Sequence, residues 1–155
     1  MSAPFIGLIS DTHGKARAAA LDALRGAVWI LHAGDIGSPD VLDALGQIAP
    51  VHAVRGNNDS GPWAEPLPLS MTLSWQGTRL HLVHDLHDLV LDPVRSGISV
   101  VVSGHSHKPS VEQRDGVLFV NPGSAGPRRF SLPVAVARIE MVAGAEAKIL
   151  LLSGQ

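Results

Sequence analysis

The pattern that most constrains the fold is an alternation, in the first half of the chain, between short apolar runs and amphipathic segments. The apolar runs at 5–9, 28–31 and 51–54 have the length and composition of strands buried on both faces. Segment 15–25 carries Ala and Leu at helical spacing, and Ser38-Pro39-Asp40 has the residues that favour the start of a helix. Strands that alternate with helices in this way predict an α/β fold with a parallel sheet.

The second half of the chain changes to hairpins. Segments 69–75 and 78–84 flank Gln76-Gly77, and segments 110–114 and 117–120 flank Asp115-Gly116, which is a strong turn signal. Further strands are predicted at 98–102, 132–139 and 147–152, and a short helix is predicted within 85–95, with its end left open by Pro93. We therefore expect one domain over residues 1–155, of α/β class, built as a two-sheet β-sandwich flanked by helices on its outer faces (αββα).

The composition narrows the range of functions. With 45% hydrophobic residues, 17% charged residues and a net charge of −2, the chain is neither disordered nor basic enough to favour extended nucleic acid. It contains no cysteine, which excludes thiolate nucleophiles and cysteine-based metal sites and fits a reducing compartment. No apolar stretch is long enough for a membrane span and residues 1–10 lack a basic leader, so we expect a cytoplasmic protein with no membrane contact.

Five of the predicted strands are followed directly by polar residues. These segments are Asp11-Thr12-His13, Gly34-Asp35, Gly56-Asn57-Asn58-Asp59, His84 and Gly104-His105-Ser106-His107. Sites in open α/β sheets form outside the carboxyl ends of the strands, so we expect these side chains to meet at one rim. Each segment taken alone is more simply a turn or a helix cap. Together they offer oxygen and imidazole donors, which suit Mn, Zn, Fe, Ni or Mg.

This ordered set resembles the calcineurin-like metallophosphoesterase superfamily. The later segment Asn121-Pro122-Gly123-Ser124 is similar to a further signature of the small single-domain branch of that superfamily. The branch contains compact bacterial and archaeal phosphodiesterases and a eukaryotic retromer scaffold subunit. The resemblance runs from about Phe5 to Ser124, and it implies a metallophosphatase-like sandwich fold.

The resemblance also implies a site for two divalent metal ions, with Mn as the expected metal and Ni, Zn, Fe or Mg as alternatives. Asp11, His13 and His107 would hold the first ion, Asn57, His84 and His105 the second, and Asp35 would bridge both. The implied reaction is hydrolysis of a small phosphate ester, most simply a diester, by in-line attack of a metal-bridging hydroxide. Asp35 and Asn58 are the residues expected to act in catalysis.

Two positions depart from the pattern of the superfamily. Asn58 stands where many members have a His, and an amide can donate a hydrogen bond to a phosphoryl oxygen but cannot serve as a general acid. Asp85 follows His84 where a Gly is usual; it could orient an imidazole, but we favour a helix cap. We expect His32 to be a buried supporting residue, and His52, His81 and His87 to be structural or exposed. Arg128-Arg129 could contact an anionic substrate or simply be solvated.

Two other functions stay open. A noncatalytic protein-binding scaffold on the same fold would be expected to lose some ligands, whereas all seven positions here hold suitable donors. A nuclease is the third alternative, but a short and slightly acidic chain leaves little room for a duplex-binding surface. The sequence leaves a homo-oligomer possible.

Overall fold

The computed structural model describes residues 3–128 and 131–152. Two mixed sheets of five strands each form the molecule. Sheet A has the strand order β10-β9-β1-β2-β3, and sheet B has the order β4-β5-β6-β8-β7. The elements are β1 Phe5–Ile9, α1 Ala18–Leu24, β2 Trp29–His32, α2 Pro39–Gly46, β3 Val51–Ala53, β4 Ser70–Trp75, β5 Thr78–Val83, β6 Val100–Val102, β7 Ser110–Arg114, β8 Val117–Asn121, β9 Ala135–Met141 and β10 Ala145–Leu151.

Each sheet contains three parallel strands, which lie at one side of sheet A and at the centre of sheet B. In sheet A, β1 pairs with β2 and β2 with β3 in parallel, and β9 and β10 add antiparallel strands on the other side of β1. In sheet B, β5, β6 and β8 are parallel, and the hairpin strands β4 and β7 close the two edges. Strands β1 and β6 are short and apolar because they are buried on both faces, as the sequence predicts.

The main core lies between the two sheets. Ile6, Leu8 and Leu31 from sheet A pack with Leu82 and Val100 from sheet B. A second cluster joins the helices to the outer face of sheet A, where Leu24 of α1 and Leu45 of α2 are fully buried. Burial of one Leu side chain contributes about 1.5–3 kcal/mol, so these two residues fix the helices on the sheet.

The prediction of a two-sheet α/β sandwich is confirmed, but both α-helices described lie on sheet A. The outer face of sheet B is covered by a segment with one 3₁₀ turn, Leu86–Asp88, rather than by the helix predicted within 85–95. Pro93 cannot continue a helix, and the carboxylate of Asp92 accepts the N–H of Val94, which stabilises a turn instead. No helix within residues 3–128 and 131–152 is long and apolar enough to cross a membrane.

Candidate metal centre

The carboxyl ends of the parallel strands of both sheets bring two groups of donor side chains to one rim. Asp11, His13 and His107 form one group, which we call the inner site. Asp35, His84 and His105 form the other group. Asn57 Oδ1 lies 2.9 Å from His84 Nε2, and we call this group together with Asn57 the outer site. Within each three-residue group, the possible ligand atoms lie within 4.8 Å of one another. All seven positions predicted from the sequence are therefore brought together.

Five of these seven residues have an unusual backbone conformation. Asp11, His13, Asp35, His105 and His107 all have φ between 47° and 71°. Among the described residues, the other non-glycine residues with positive φ are Gln76 and Asp115, and both lie in hairpin turns. A left-handed residue other than glycine costs on the order of 1–3 kcal/mol and persists where the surroundings enforce it, typically at functional sites. The rest of the fold thus holds this rim in a strained arrangement.

Two glycines permit the close approach of the loops. A Cβ atom on Gly56 would collide with the backbone and carboxylate of Asp35, and one on Gly104 would collide with the side chains of Ser10 and Asp11. Both glycines directly precede a predicted ligand, Asn57 and His105. Their lack of a side chain is therefore what lets the β3 loop reach the β2 loop and the β6 loop reach the β1 loop.

The inner site is enclosed. Asp11 is fully buried, and its Oδ2 accepts hydrogen bonds from Ser10 Oγ at 2.7 Å and from the N–H of His105 at 3.0 Å. Its Oδ1 instead faces His107 Nε2 at 3.4 Å and His13 Nε2 at 4.0 Å. Burial raises the pKa of Asp11, although these hydrogen bonds and the nearby histidines oppose that effect.

The donor set of the inner site fits a cation. Among the described residues, none forms a hydrogen bond with Asp11 Oδ1 or with His13 Nε2, although both atoms are buried. An isolated carboxylate oxygen without a donor is costly in a protein interior, whereas carboxylate and imidazole are good ligands for divalent ions. A metal ion there would satisfy both atoms at once.

The outer site is built around His84. The carbonyl oxygen of Ala33 accepts a hydrogen bond from His84 Nδ1 at 2.7 Å, which fixes the ring and turns Nε2 inward. That nitrogen faces Asn57 Oδ1 at 2.9 Å and Asp35 Oδ2 at 3.4 Å. Burial lowers the pKa of His84, but contact with Asp35 and the Ala33 carbonyl outweighs burial, so the pKa is raised. Two oxygen acceptors converge on this nitrogen, and together with the nitrogen they could bind a metal ion in place of its proton.

Asp35 lies between the two sites. Its Oδ2 is 3.4 Å from His84 Nε2 in the outer site and 3.8 Å from His13 Nε2 in the inner site. The N–H of Asn58 donates to Oδ1 at 2.9 Å, and Asn58 Nδ2 donates to Oδ2 at 3.1 Å. Burial would raise the pKa of Asp35, but its contact with His84 and the Asn58 hydrogen bonds hold that pKa well below its usual range. The carboxylate is therefore anionic and faces both groups.

Asp59 has a larger role than its sequence context indicates. Its buried carboxylate accepts backbone N–H groups from Ile36 at 3.1 Å, Gly37 at 3.0 Å and Gly56 at 2.9 Å. It thereby ties the loop that carries Asp35 to the loop that carries Asn57. The sequence gives only one signal for this, the position of an acid two residues after Asn57, because Ile36 and Gly37 are more than 20 residues away in the chain.

His32 is the buried supporting residue that the sequence predicts. The N–H of Gly34 donates to His32 Nδ1 at 3.1 Å, and His32 Nε2 lies 3.0 Å from Thr12 Oγ1, which in turn donates to the carbonyl of Ile36. A ring that accepts at Nδ1 is neutral, and burial accordingly lowers the pKa of His32 to about 3. The ring joins the loop after β1, which belongs to the inner site, to the loop after β2, which belongs to the outer site.

The remaining polar residues singled out in the sequence have local contacts. His52 packs edge-on against Trp29, His81 bonds with Thr72, and His87 is exposed. Asp85 accepts the N–H of His87 at 3.0 Å, which confirms it as a cap, and its Oδ2 also lies 3.6 Å from His105 Nε2. Arg128 is exposed, and Arg129 lies outside the described residues.

Comparisons with known proteins agree with this geometry. The model of the calcineurin-like phosphoesterase superfamily domain matches residues 5–144. A probable metallophosphoesterase of Methanothermobacter thermautotrophicus is 38% identical over 148 residues, covering 87% of this chain and 86% of the relative. Phosphodiesterase YfcE of Escherichia coli K12 is 30% identical over 155 residues, covering 84% of each chain. The crystal structure of Chaetomium thermophilum Vps29 has a TM-score of 0.77 at 20% identity, covering 96% of this chain and 97% of that one.

Proposed function

Because the chain belongs to the calcineurin-like phosphoesterase superfamily, we propose that it is a phosphodiesterase that depends on two divalent metal ions. The observation that supports this most directly is the position of Asp35. One oxygen of its carboxylate lies within 4 Å of a histidine nitrogen from each of the two donor groups. A single bridging carboxylate between two ligand sets is the arrangement that a two-metal hydrolase requires.

The proposed ligands are Asp11, His13 and His107 at the inner site, Asn57, His84 and His105 at the outer site, and Asp35 at both. Two ions held there would neutralise an anionic ester and lower the pKa of a bound water, which supplies the nucleophile for in-line attack. The chain contains no cysteine, and Ser10 Oγ, which contacts Asp11, donates its hydrogen to that carboxylate. In the proposed mechanism water attacks phosphorus directly, and no covalent intermediate forms on the protein.

Asn58 contacts the Asp35 carboxylate and is also placed to contact a phosphate. Asp35 stays ionised because the N–H and the amide of Asn58 both donate to it. Asn58 is exposed at the rim, and its second amide hydrogen can be donated to a phosphoryl oxygen. It cannot protonate a leaving alkoxide, so the proposed enzyme favours esters whose leaving groups are weak bases.

A noncatalytic binding scaffold is the main alternative to an enzyme, and the likeness to Vps29 extends to the fold alone because only 20% of residues are identical. The complete donor set and the strained backbone of five ligands favour catalysis, since a protein that only binds a partner has no need to maintain them. The net charge of −2 likewise disfavours a nuclease acting on duplexes. Manganese as the native metal and the cytoplasm as the compartment remain part of this proposal.

The test is hydrolysis after removal and return of metal. The purified chain is treated with a chelator and reloaded separately with Mn, Mg, Ni or Zn, and each form is assayed on bis(p-nitrophenyl) phosphate and p-nitrophenyl phosphate. We expect no hydrolysis without metal, recovery with at least one ion, and a faster reaction with the diester. Full activity in the metal-free chain contradicts the mechanism. Absence of hydrolysis in every form that has bound two ions favours the scaffold.

A further inference from the structure

A cavity of about 650 Å³ opens directly against the outer site. Asn57, His84 and His105 form part of its wall, so a substrate bound at the outer site would extend into it. The inner-site residues Asp11, His13 and His107 do not line it. The volume lies within the range of about 300–1,000 Å³ that is typical of small-molecule sites, which is far more than a phosphoryl group alone would fill.

Part of the cavity wall is apolar and exposed. Leu69, at the entry to β4, is 64% exposed, and Val90, just after the 3₁₀ turn, is 96% exposed. Val83, the last residue of β5, is buried and also lines the cavity. Aliphatic side chains that line a cavity beside polar donors are suited to contact an apolar part of a ligand, because covering them removes apolar surface from water.

The charges of the cavity limit what that ligand can carry. Arg55 lines the cavity two residues before Asn57 and has no ion pair with any residue in the described part of the chain. Asp85 and Asp88 line it as well. One cation without a partner favours an approaching phosphate, whereas two carboxylates disfavour a second anionic group within the same cavity. The combination suits an ester with one negative charge and a neutral substituent.

We propose that this cavity receives the second ester group of a phosphodiester, and that the group is apolar and of aryl size. The proposal rests on the phosphodiesterase function proposed above and adds the substrate class to it. Leu69 and Val90 contact the apolar group, while Arg55 offsets the charge of the phosphate as it enters. In the reaction, water gives one proton to solvent and its oxygen bonds to phosphorus, the bond to the aryloxide breaks with its electron pair leaving on the aryloxide, and the second ester group stays on the product monoester.

The experiment compares two diesters with the same leaving group: p-nitrophenyl phenyl phosphate and p-nitrophenyl methyl phosphate. Both release p-nitrophenolate, so the pair differs only in the group assigned to the cavity. We expect the ratio of kcat/KM, phenyl over methyl, to fall on the order of 10-fold when Leu69→Ala and Val90→Ala are combined. Comparing this ratio between the variant and the natural chain cancels the different intrinsic reactivities of the esters.

Val94→Ala is the matched control, because Val94 is 57% exposed in the same segment as Val90 but does not line the cavity. We expect it to keep the ratio of the natural chain. Arg55→Ala should raise KM for both esters to a similar extent. A ratio that is unchanged in the double variant, or that changes equally in Val94→Ala, overturns the assignment.

A binding measurement separates this inference from the proposed function. Diphenyl phosphate is titrated into the metal-loaded chain, and the methyl resonances of Leu69 and Val90 are followed by NMR, with dimethyl phosphate as the control ligand. Saturable shifts that occur with diphenyl phosphate and not with dimethyl phosphate support the cavity assignment. If no ester is hydrolysed, the proposed function fails, but these shifts still support binding of an apolar group in the cavity. Hydrolysis of both diesters without any such shift overturns the cavity assignment and leaves the proposed function standing.

Discussion

The inner and outer sites use the same kinds of side chain but lie in different surroundings. In the inner site, Asp11 is fully buried and the His107 side chain is 6% exposed, whereas in the outer site the His105 side chain is 45% exposed and Asn57 is exposed. The difference arises because a loop covers the inner site: Ser124 Oγ donates to the carbonyl of Asp11, and Gly126 packs against Asp11 and Thr12.

The outer site has the large cavity instead of a cover. A buried site releases a bound ion slowly, because its ligands cannot be replaced by water without opening the loop. An exposed site can exchange a ligand for water or for a substrate oxygen. If both sites bind metal as proposed, the comparison assigns them different roles: the inner site would retain its ion, and the outer site would present its ion to the substrate.

The largest effect should come from Asp35, the residue shared by both sites. Asp35→Ala removes the negative charge between the two groups, so two nearby dications would repel each other with less compensation. We expect kcat/KM to fall by at least about 1,000-fold and the metal content to drop below two ions per chain. Rates and elemental analysis are measured together. Two retained ions with near-normal rates would exclude a bridging role for Asp35 between the two sites.

The contrast between the sites predicts unequal effects of losing one histidine from each. His107→Ala leaves a buried gap that water cannot fill easily, and we expect metal affinity at the inner site to fall by more than about 100-fold. His105→Ala leaves a gap open to solvent, so water can replace the ligand and the loss should be about 10-fold. Competition with a chromophoric chelator measures both constants. Equal losses in the two variants would remove the distinction between a closed and an open site.

Substitution of Asn58 tests whether the hydrolysis takes place at the outer site. Replacing a donor that faces the developing charge on phosphate typically costs roughly 100-fold in kcat, and we expect this for Asn58→Ala. Because Asn58 cannot donate a proton to the leaving group, log kcat/KM should fall steeply as the leaving-group pKa rises from aryl to alkyl esters. Asn58→His should flatten that slope. A flat slope in the natural chain would mean that another group supplies the proton.

Asp85 should affect the outer site alone. Its Oδ2 lies 3.6 Å from His105 Nε2, and its other oxygen is held by the N–H of His87, so it restrains a ring that is otherwise exposed. We expect Asp85→Asn to weaken metal binding at the outer site by about 10-fold and leave the inner site unchanged. Asp88→Asn, which alters a carboxylate of the same cavity, is the control. An equal change in Asp88→Asn would assign the effect to overall charge.

His32 supports both sites, and its effect is on stability. Its pKa is about 3 in the folded chain, below the usual value of 6.5, so the unfolded chain binds more protons between these values. The free energy of unfolding should therefore fall by about 1.4 kcal/mol per unit as the pH is lowered from 6.5 toward 3. In His32→Gln that contribution to the slope should be absent.

Denaturant titrations in a chelator, at several pH values, measure this slope without a contribution from metal release. His87→Gln is the matched control, because its side chain is 94% exposed and touches neither site directly. It should keep the pH dependence of the natural chain. A natural chain whose stability does not change between pH 6.5 and 4 would contradict a neutral, buried His32.

The sequence by itself indicated the strands and the polar segments after them that carry the proposed ligands. Apolar runs such as Phe5–Ile9 can be recognised without neighbours because a strand buried on both faces needs apolar side chains throughout. The segments after these runs carry glycine and metal-binding side chains at short spacing, and strand ends in an α/β sheet converge. The convergence of these segments at one rim could therefore be predicted from local patterns, whereas the choice of seven ligands among their residues followed from the resemblance to the superfamily.

The tertiary structure decided what depends on contacts between distant segments. The helix expected within 85–95 is a 3₁₀ turn, because Pro93 and the Asp92 side chain outweigh a weak helical pattern. Which site is closed depends on Ser124 and Gly126, more than 100 residues from Asp11. The role of Asp59 depends on the N–H groups of Ile36 and Gly37, more than 20 residues away in the chain. Spacing along the chain specifies which side chains could bind a metal, but burial is a property of the packed molecule, and burial is what makes the inner site closed and the outer site open to solvent.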